Sequence, residues 1–434
     1  MSSGEERMSA VQSQARGRWF FLAAFVFACL LFWWAPSLVF HFLAGLDDGV
    51  EGGTVMISIA ALVLFGLAYL LPFSNDESRC LSEGTLDACS KIAFFITVAL
   101  FPIALLLAIH LWSQRVGFDY GAVGSIPIGD QAVLYTHLFF GLMFFGSAAP
   151  KRDGRHRVLI GLVLFALPRL IISTHGGRFY LAQAAVPALL IAVGRGWIRF
   201  SFRRVIQIML LAALILFGPS ITRGDAVFGQ GEFADWLSGG STLKLYQDHI
   251  DDNLQGHCNP FLVAFTAKVI PFKLIGECLI DFGDRKDEPE TLDRILAVET
   301  PGTFHGTVGP GSNYLLDLGL FGGLLAVFVG SACFGFSCRR FVAWVGMRSP
   351  YAGIWAECLT RALFAPRGNL GYVYERVPSL VLATWLIVLA LKPWEPTRLD
   401  RRISSRLQTT EAISLSRRTP VLMPATPAAQ QKNG

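Results

Sequence analysis

The chain has 434 residues, of which 53% are apolar and only 16% charged, with 35 phenylalanines and a mean hydropathy of +0.48. A soluble domain carries about a quarter charged residues, so the polar surface needed to stay in water is missing. That excludes a nucleic-acid binder, a secreted disulfide scaffold and a disordered chain. The net charge of +5 is a mild basic bias, and its distribution is more informative than its sum.

About 20 mainly apolar residues cross a hydrocarbon layer roughly 30 Å thick. Ten such runs, bounded by charges or turn residues, are expected near 19–43, 54–74, 92–113, 132–149, 158–174, 179–194, 205–220, 312–335, 351–365 and 378–391. The sixth, seventh, ninth and tenth are short, which suits bundle neighbours with flanking anchors. The first follows Arg16 and Arg18 but is too long for a cleaved signal, and no small-residue cleavage site follows it. It reads as a retained anchor.

Cytoplasmic connections carry an excess of Lys and Arg. With the N-terminus inside, the inside segments hold 24 of the 37 basic residues, among them Arg152, Arg155, Arg157, Arg195, Arg339 and Arg340. Both termini are therefore expected inside. The stretch 221–311, with 14 Asp and Glu against 7 Lys and Arg, then lies outside, and its apolar part 259–280 reads as an interfacial helix. Segment 75–91 does not fit, because Asp76, Glu77, Glu83 and Asp87 outnumber Arg79 and Lys91.

The expected organisation is an all-α polytopic bundle of about ten transmembrane helices. It comprises an inner N-terminus at 1–18, helices 1–7 at 19–220, the outer loop at 221–311, helices 8–10 at 312–391, and an inner tail at 392–434 whose Ser, Thr, Pro, Ala and Gln content predicts disorder. No internal repeat is visible. Cys258 and Cys278 share the outer loop and would pair only in an oxidising compartment. The cysteines and histidines show no zinc-type spacing, so no metal is expected.

The informative residues are arginines on the wrong side of the charge pattern. Arg169 lies in the fifth span after Pro168, Arg178 follows a Gly-Gly turn, Arg223 opens the outer loop, Arg361 lies in the ninth span, and Arg367 and Arg376 flank the next outer turn. An arginine at membrane depth costs a few kcal/mol and usually faces a partner or a wet cavity. Its planar fork holds phosphate oxygens bidentately, so arginines converging from separate spans would suit an anionic lipid headgroup or diphosphate. The alternative for Arg361 is a structural pair with Glu357 four residues earlier. For Arg223, Arg367 and Arg376 it is snorkelling to ordinary headgroups.

A second signal is the glycine-rich turn from His305 through Gly309, Pro310, Gly311 and Asn313 into Tyr314, Asp317, Gly319, Gly322 and Gly323. It reads either as a re-entrant path whose amides face a ligand or as an ordinary helix entry with close-packing glycines. Asp317 is either a buried partner of an arginine or a base. His175 and His305 are the nearest outer histidines. An imidazole titrating at about pH 6.5 is suited to accept a hydroxyl proton, although a lone loop histidine is more often a solvated residue.

Arg169-Leu-Ile-Ile-Ser-Thr-His-Gly-Gly-Arg178 ahead of a short span, one large outer loop, and Gly309-Pro-Gly-Ser-Asn-Tyr-Leu-Leu-Asp-Leu-Gly-Leu-Phe-Gly322 together resemble the O-antigen and exopolysaccharide repeat-unit polymerases of bacterial inner membranes. The resemblance covers the architecture over about 19–391 and two short motifs. It implies a polyprenol-dependent glycosyltransferase with one large periplasmic loop and a substrate oligosaccharide on undecaprenyl diphosphate. A hydroxyl of one unit would attack the anomeric carbon of the growing chain with inversion, without a cofactor, nucleotide sugar or metal. Membrane lipids, a chain-length regulator and a flippase are the partners it implies.

In that frame Arg169 and Arg178, with Arg361 and Arg223 behind them, would stabilise the charge developing on the leaving diphosphate. His175 or His305 would be the base or an acceptor-sugar ligand. Trp236, Tyr246 and Asp317 would contact glycan, with Asn253, Gln255 and Asn259 of the loop adding hydrogen bonds. The chain departs from some members, in which a glycine follows the arginine eleven positions later. Here Tyr180, Leu189 and Ala234 stand at that distance from Arg169, Arg178 and Arg223. Ligases that attach glycan to a lipid acceptor share the architecture, and a flippase of lipid-linked sugars is the reading from another class.

Overall fold

The computed structural model describes residues 17–35, 50–72, 81–113, 128–149, 155–173, 178–197, 243, 246–247, 313–367, 370–374 and 377–391. Among them all regular structure is helical. Helix α1 is Gly17–Trp34, ending in a π-helical turn over Leu30–Trp34. It is followed by α2 (Gly52–Leu70), α3 (Glu83–Ser113), α4 (Ile128–Ser147), α5 (Arg155–Ser173), α6 (Arg178–Gly194), α7 (Tyr314–Gly346), α8 (Ala352–Phe364) and α9 (Val377–Leu391). Between α8 and α9 lie a 3-10 turn, Ala365–Arg367, and a single helical turn, Gly371–Tyr374.

Five stretches, Gly17–Trp34, Gly52–Leu70, Glu83–Ser113, His156–Ser173 and Gly322–Gly346, are long and apolar enough to cross a membrane. Three shorter apolar helices, Ala132–Ser147, Ala182–Gly194 and Val377–Leu391, accompany them. The chain is thus a multi-pass helical membrane protein. Its outer faces carry Leu325, Phe95 and Leu106, exposed as lipid-facing side chains are, while aromatic rings fill the interior. Phe25 stacks on Phe65 at 4.1 Å, and Tyr69, Tyr314 and Phe334 extend that cluster between α1, α2 and α7.

The expected seventh span, the acidic loop except for residues 243 and 246–247, the interfacial helix at 259–280, Cys258, Cys278 and the tail all lie outside the described residues. Helices occupy the other nine expected spans where these are described, residues 36–43 of the first lying outside the described residues, and two boundaries differ for physical reasons. Helix α3 starts nine residues earlier than expected, at Glu83. Arg348, in the turn between α7 and α8, donates to Glu83 Oε2 at 2.5 Å and Asp87 Oδ1 at 2.6 Å. The two carboxylates therefore sit in the first turns of a helix, where they also complement its dipole. This pairing accounts for two of the four acidic residues in a segment that the charge pattern alone did not explain; Asp76 and Glu77 lie outside the described residues. Helix α7 runs past the expected end at 335 to Gly346, carrying Arg339 and Arg340 within it, with Arg340 over the Phe336 ring.

One end of the bundle is held by arginines. Arg195 donates to the carbonyls of Phe145, Gly146, Ala148 and Met347, and Arg348 Nε donates to Ser147 O. The last carbonyls of a helix have no intrahelical donor, so these two side chains serve the ends of α4 and α7 together. Tyr69 at the end of α2 donates to Arg18 O at the start of α1. At the opposite end, Trp33 donates to Pro366 O, and Gln247 Oε1 accepts from Glu51 N and Thr54 Oγ1 at the start of α2.

Glycines set the closest helix approach and the sharpest break in the bundle. A Cβ at Gly353 would collide with the Leu142 carbonyl, so α8 and α4 touch backbone to backbone there. Gly353→Ala is expected to push the two helices apart and cost about 1–3 kcal/mol, typical of overpacking, read as a lower thermal midpoint in detergent. An unchanged midpoint would mean that the contact is loose. The break lies in α7. Gly322 has φ −164°, and Gly323 has φ +63° and ψ −155°, a conformation essentially confined to glycine. It separates a short segment, residues 313–321, buried over 313–319, from the long remainder.

Candidate functional site

Arginines of separate helices meet through two intermediaries in the interior. Arg169 follows Pro168 in α5 and is 1% exposed. Its Nη2 donates to Leu134 O of α4 at 2.7 Å, and its Nη1 donates to Gln183 Oε1 of α6 at 3.2 Å. Gln183 Nε2 donates to Glu357 Oε1 of α8 at 3.2 Å. The same carboxylate oxygen accepts from Arg361 Nε at 3.0 Å, the acid preceding the base by one helical turn. Gln183, Glu357 and Arg361 are buried almost as deeply as Arg169.

Sequence dictates part of this locally. Pro187 lies four residues after Gln183 in α6 and has no N–H, so the Gln183 carbonyl lacks its usual helical donor and that turn is loosened. Gln183 is the lone amide in a helix that is apolar from Leu181 onward apart from it, a signal for interhelical hydrogen bonding. Beside the network, His137 of α4 is fully buried, lies within electrostatic reach of Arg169 and stacks on Phe165. Neither of its ring nitrogens has a hydrogen-bond partner, and Glu357 Oε2 also has none.

The expected site residues separate as follows. Arg169 and Arg361 are joined in one network, and Glu357 is the carboxylate between them. Asp317, in the first turn of α7, accepts from Leu370 N beyond α8 and so ties the short segment of α7 to the turn that follows Arg361. Asn313 caps that segment by accepting from Leu316 N at 2.8 Å. Tyr246 is buried in the aromatic core beside α2, next to Gln247. Arg178 starts α6, but its side chain lies outside the described residues, as do His175, Arg223, Trp236 and His305. Sequence reasoning missed Gln183 and His137, although each is the kind of polar residue in an apolar helix that invites attention.

A buried guanidinium keeps its charge, and in a dry interior that charge acts more strongly than in water. Arginines anchored on different helices near one end of a membrane bundle are chemically suited to hold an anionic headgroup. Among the described residues no three His, Cys, Asp or Glu side chains are placed to hold a metal ion. No protein-family model, curated protein or solved structure matches the chain.

Proposed function

We propose that this protein polymerises undecaprenyl-diphosphate-linked oligosaccharide repeat units at the outer face of a bacterial inner membrane. In this reading the end clamped by Arg195 and Arg348 faces the cytoplasm, and the acidic loop leaves from the periplasmic end. The observation that carries it is the joining of Arg169 and Arg361, from separate helices, through Gln183 and Glu357. A cationic network at membrane depth is costly to build and usually marks a site.

The chemistry needs no cofactor. An acceptor hydroxyl attacks the anomeric carbon of the growing chain, the glycosidic carbon–oxygen bond to diphosphate breaks, and the hydroxyl proton passes to a base. The electron pair leaves with the diphosphate, where arginines stabilise it. Arg169 and Arg178 are the first residues assigned to that task, and His175 or His305 is the assigned base.

Purified protein in lipid vesicles is expected to lengthen the glycan on undecaprenyl-diphosphate-linked repeat units, and Arg178→Ala is expected to lower the rate by about a hundredfold. Transfer of the glycan to a different lipid acceptor, without elongation, would instead make the protein a ligase. One observation favours the transporter reading: discontinuous helices are common in transporters, and α7 is broken at Gly322 and Gly323. Passage of lipid-linked sugar across the vesicle with no new glycosidic bond would establish that reading and overturn the polymerase.

A further inference from the structure

We infer that Gln183 is a positioning residue that sets the direction in which Arg169 presents its guanidinium to an anionic headgroup. This rests on the polymerase reading of the same site. A guanidinium only donates and a carboxylate only accepts, so a side chain bridging them must accept on one side and donate on the other. Gln183 meets that condition in one orientation, with Oε1 toward Arg169 and Nε2 toward Glu357.

The amide is therefore locked from both sides. Turning it over would set N–H against N–H at Arg169 and oxygen against oxygen at Glu357. Its fixed Oε1 acts on Nη1 while Leu134 O acts on Nη2, so two points on different helices define the plane of the Arg169 fork. The same Glu357 oxygen holds Arg361, which links the orientation of one guanidinium to the position of the other. A neutral amide achieves this without placing a second carboxylate between the arginines.

The test titrates purified protein in nanodiscs with undecaprenyl diphosphate, with inorganic pyrophosphate in a parallel arm to separate headgroup recognition from binding of the lipid tail. Gln183→Met keeps the length of the side chain but neither hydrogen bond. It is expected to weaken binding of the lipid about tenfold and to lower the thermal midpoint, since two buried charged groups each lose a partner. Gln183→Glu provides a readout that simple packing would not move. A protonated carboxyl reproduces the acceptor and donor of the amide, whereas a carboxylate repels Glu357 and neutralises Arg169. The groups bonded to position 183 are Arg169 of α5 and Glu357 of α8, with Arg361 on the same Glu357 oxygen and His137 of α4 within electrostatic reach of Arg169. Binding by Gln183→Glu is expected to fall as pH rises and recover as it drops, to a greater extent than in the parent.

Parental binding by both variants, while Arg169→Ala is weakened, would overturn the role of Gln183 and leave the polymerase reading standing. Weak binding by Gln183→Met together with a parent-like pH profile for Gln183→Glu would reduce Gln183 to packing and also overturn the inference. Binding of the lipid without competition by pyrophosphate would locate recognition in the tail and overturn it as well. Absence of both binding and elongation in the parent would remove the polymerase reading and the inference with it.

Discussion

Arg169→Ala is expected to lower glycan elongation at least a hundredfold while the protein still inserts and remains monodisperse in detergent. The removed side chain holds two neutral oxygens, Leu134 O and Gln183 Oε1, on two neighbouring helices. Losing one donor to a developing oxyanion typically costs two to three orders of magnitude in rate, or about 3–4 kcal/mol in the transition state. The structural loss is smaller, about 1.5–3 kcal/mol for hydrogen bonds made by a charged group. Arg169→Lys is not conservative here, because one ammonium nitrogen replaces a planar fork that reaches α4 and α6 at once. It is expected to retain binding of lipid diphosphate more than turnover. Steady-state elongation measured beside thermal unfolding separates the two effects, and parental turnover by Arg169→Ala would remove this arginine from the site.

Glu357 carries the largest expected effect on stability. Glu357→Leu removes the oxygen shared by Gln183 and Arg361 and takes the Glu357 carboxylate away from a guanidinium that is 4% exposed. Breaking a buried pair by deleting one partner costs about 3–5 kcal/mol, much of it the penalty of the charge left behind. The double variant Glu357→Leu/Arg361→Met is expected to recover most of that loss, since an apolar pair of similar volume avoids the desolvation cost. Denaturant unfolding of the parent, both single variants and the double variant closes the cycle. Additive losses would show that the two side chains are not coupled, despite their 3.0 Å contact.

The places where sequence succeeds and fails have physical causes. Apolar runs such as Gly52–Leu70 are legible because lipid and bundle interior both demand the same residues. The first turns of α3 are not, because Glu83 and Asp87 look like loop residues until Arg348 binds them from more than 260 positions away. The Glu357–Arg361 pair is legible from its spacing on one helix. Its connection to Arg169 is tertiary, since Gln183 and Glu357 lie 174 positions apart. Of the two readings of the glycine-rich entry, the close-packing one does not hold at Gly323, whose open side nothing approaches. Close packing is done by Gly330, against Leu318, and by Gly335, against the Phe65 backbone.

The interruption of α7 also bears on how the chain enters the membrane. Insertion depends on hydrophobic length, and the part of α7 after the interruption, Gly322–Gly346, is long and apolar enough to cross a membrane by itself. The residues before it, 313–321, include Asp317 and would span only about 14 Å as helix. They are too short to be inserted on their own. Their place is secured by tertiary contacts, chiefly the bond from Leu370 N to Asp317 and the packing of Leu318 on Gly330. The bond to Asp317 can form only after the turn beyond α8 has been synthesised, so this tie is made later than the packing of Tyr314 against Phe25, Trp33 and Phe334 requires.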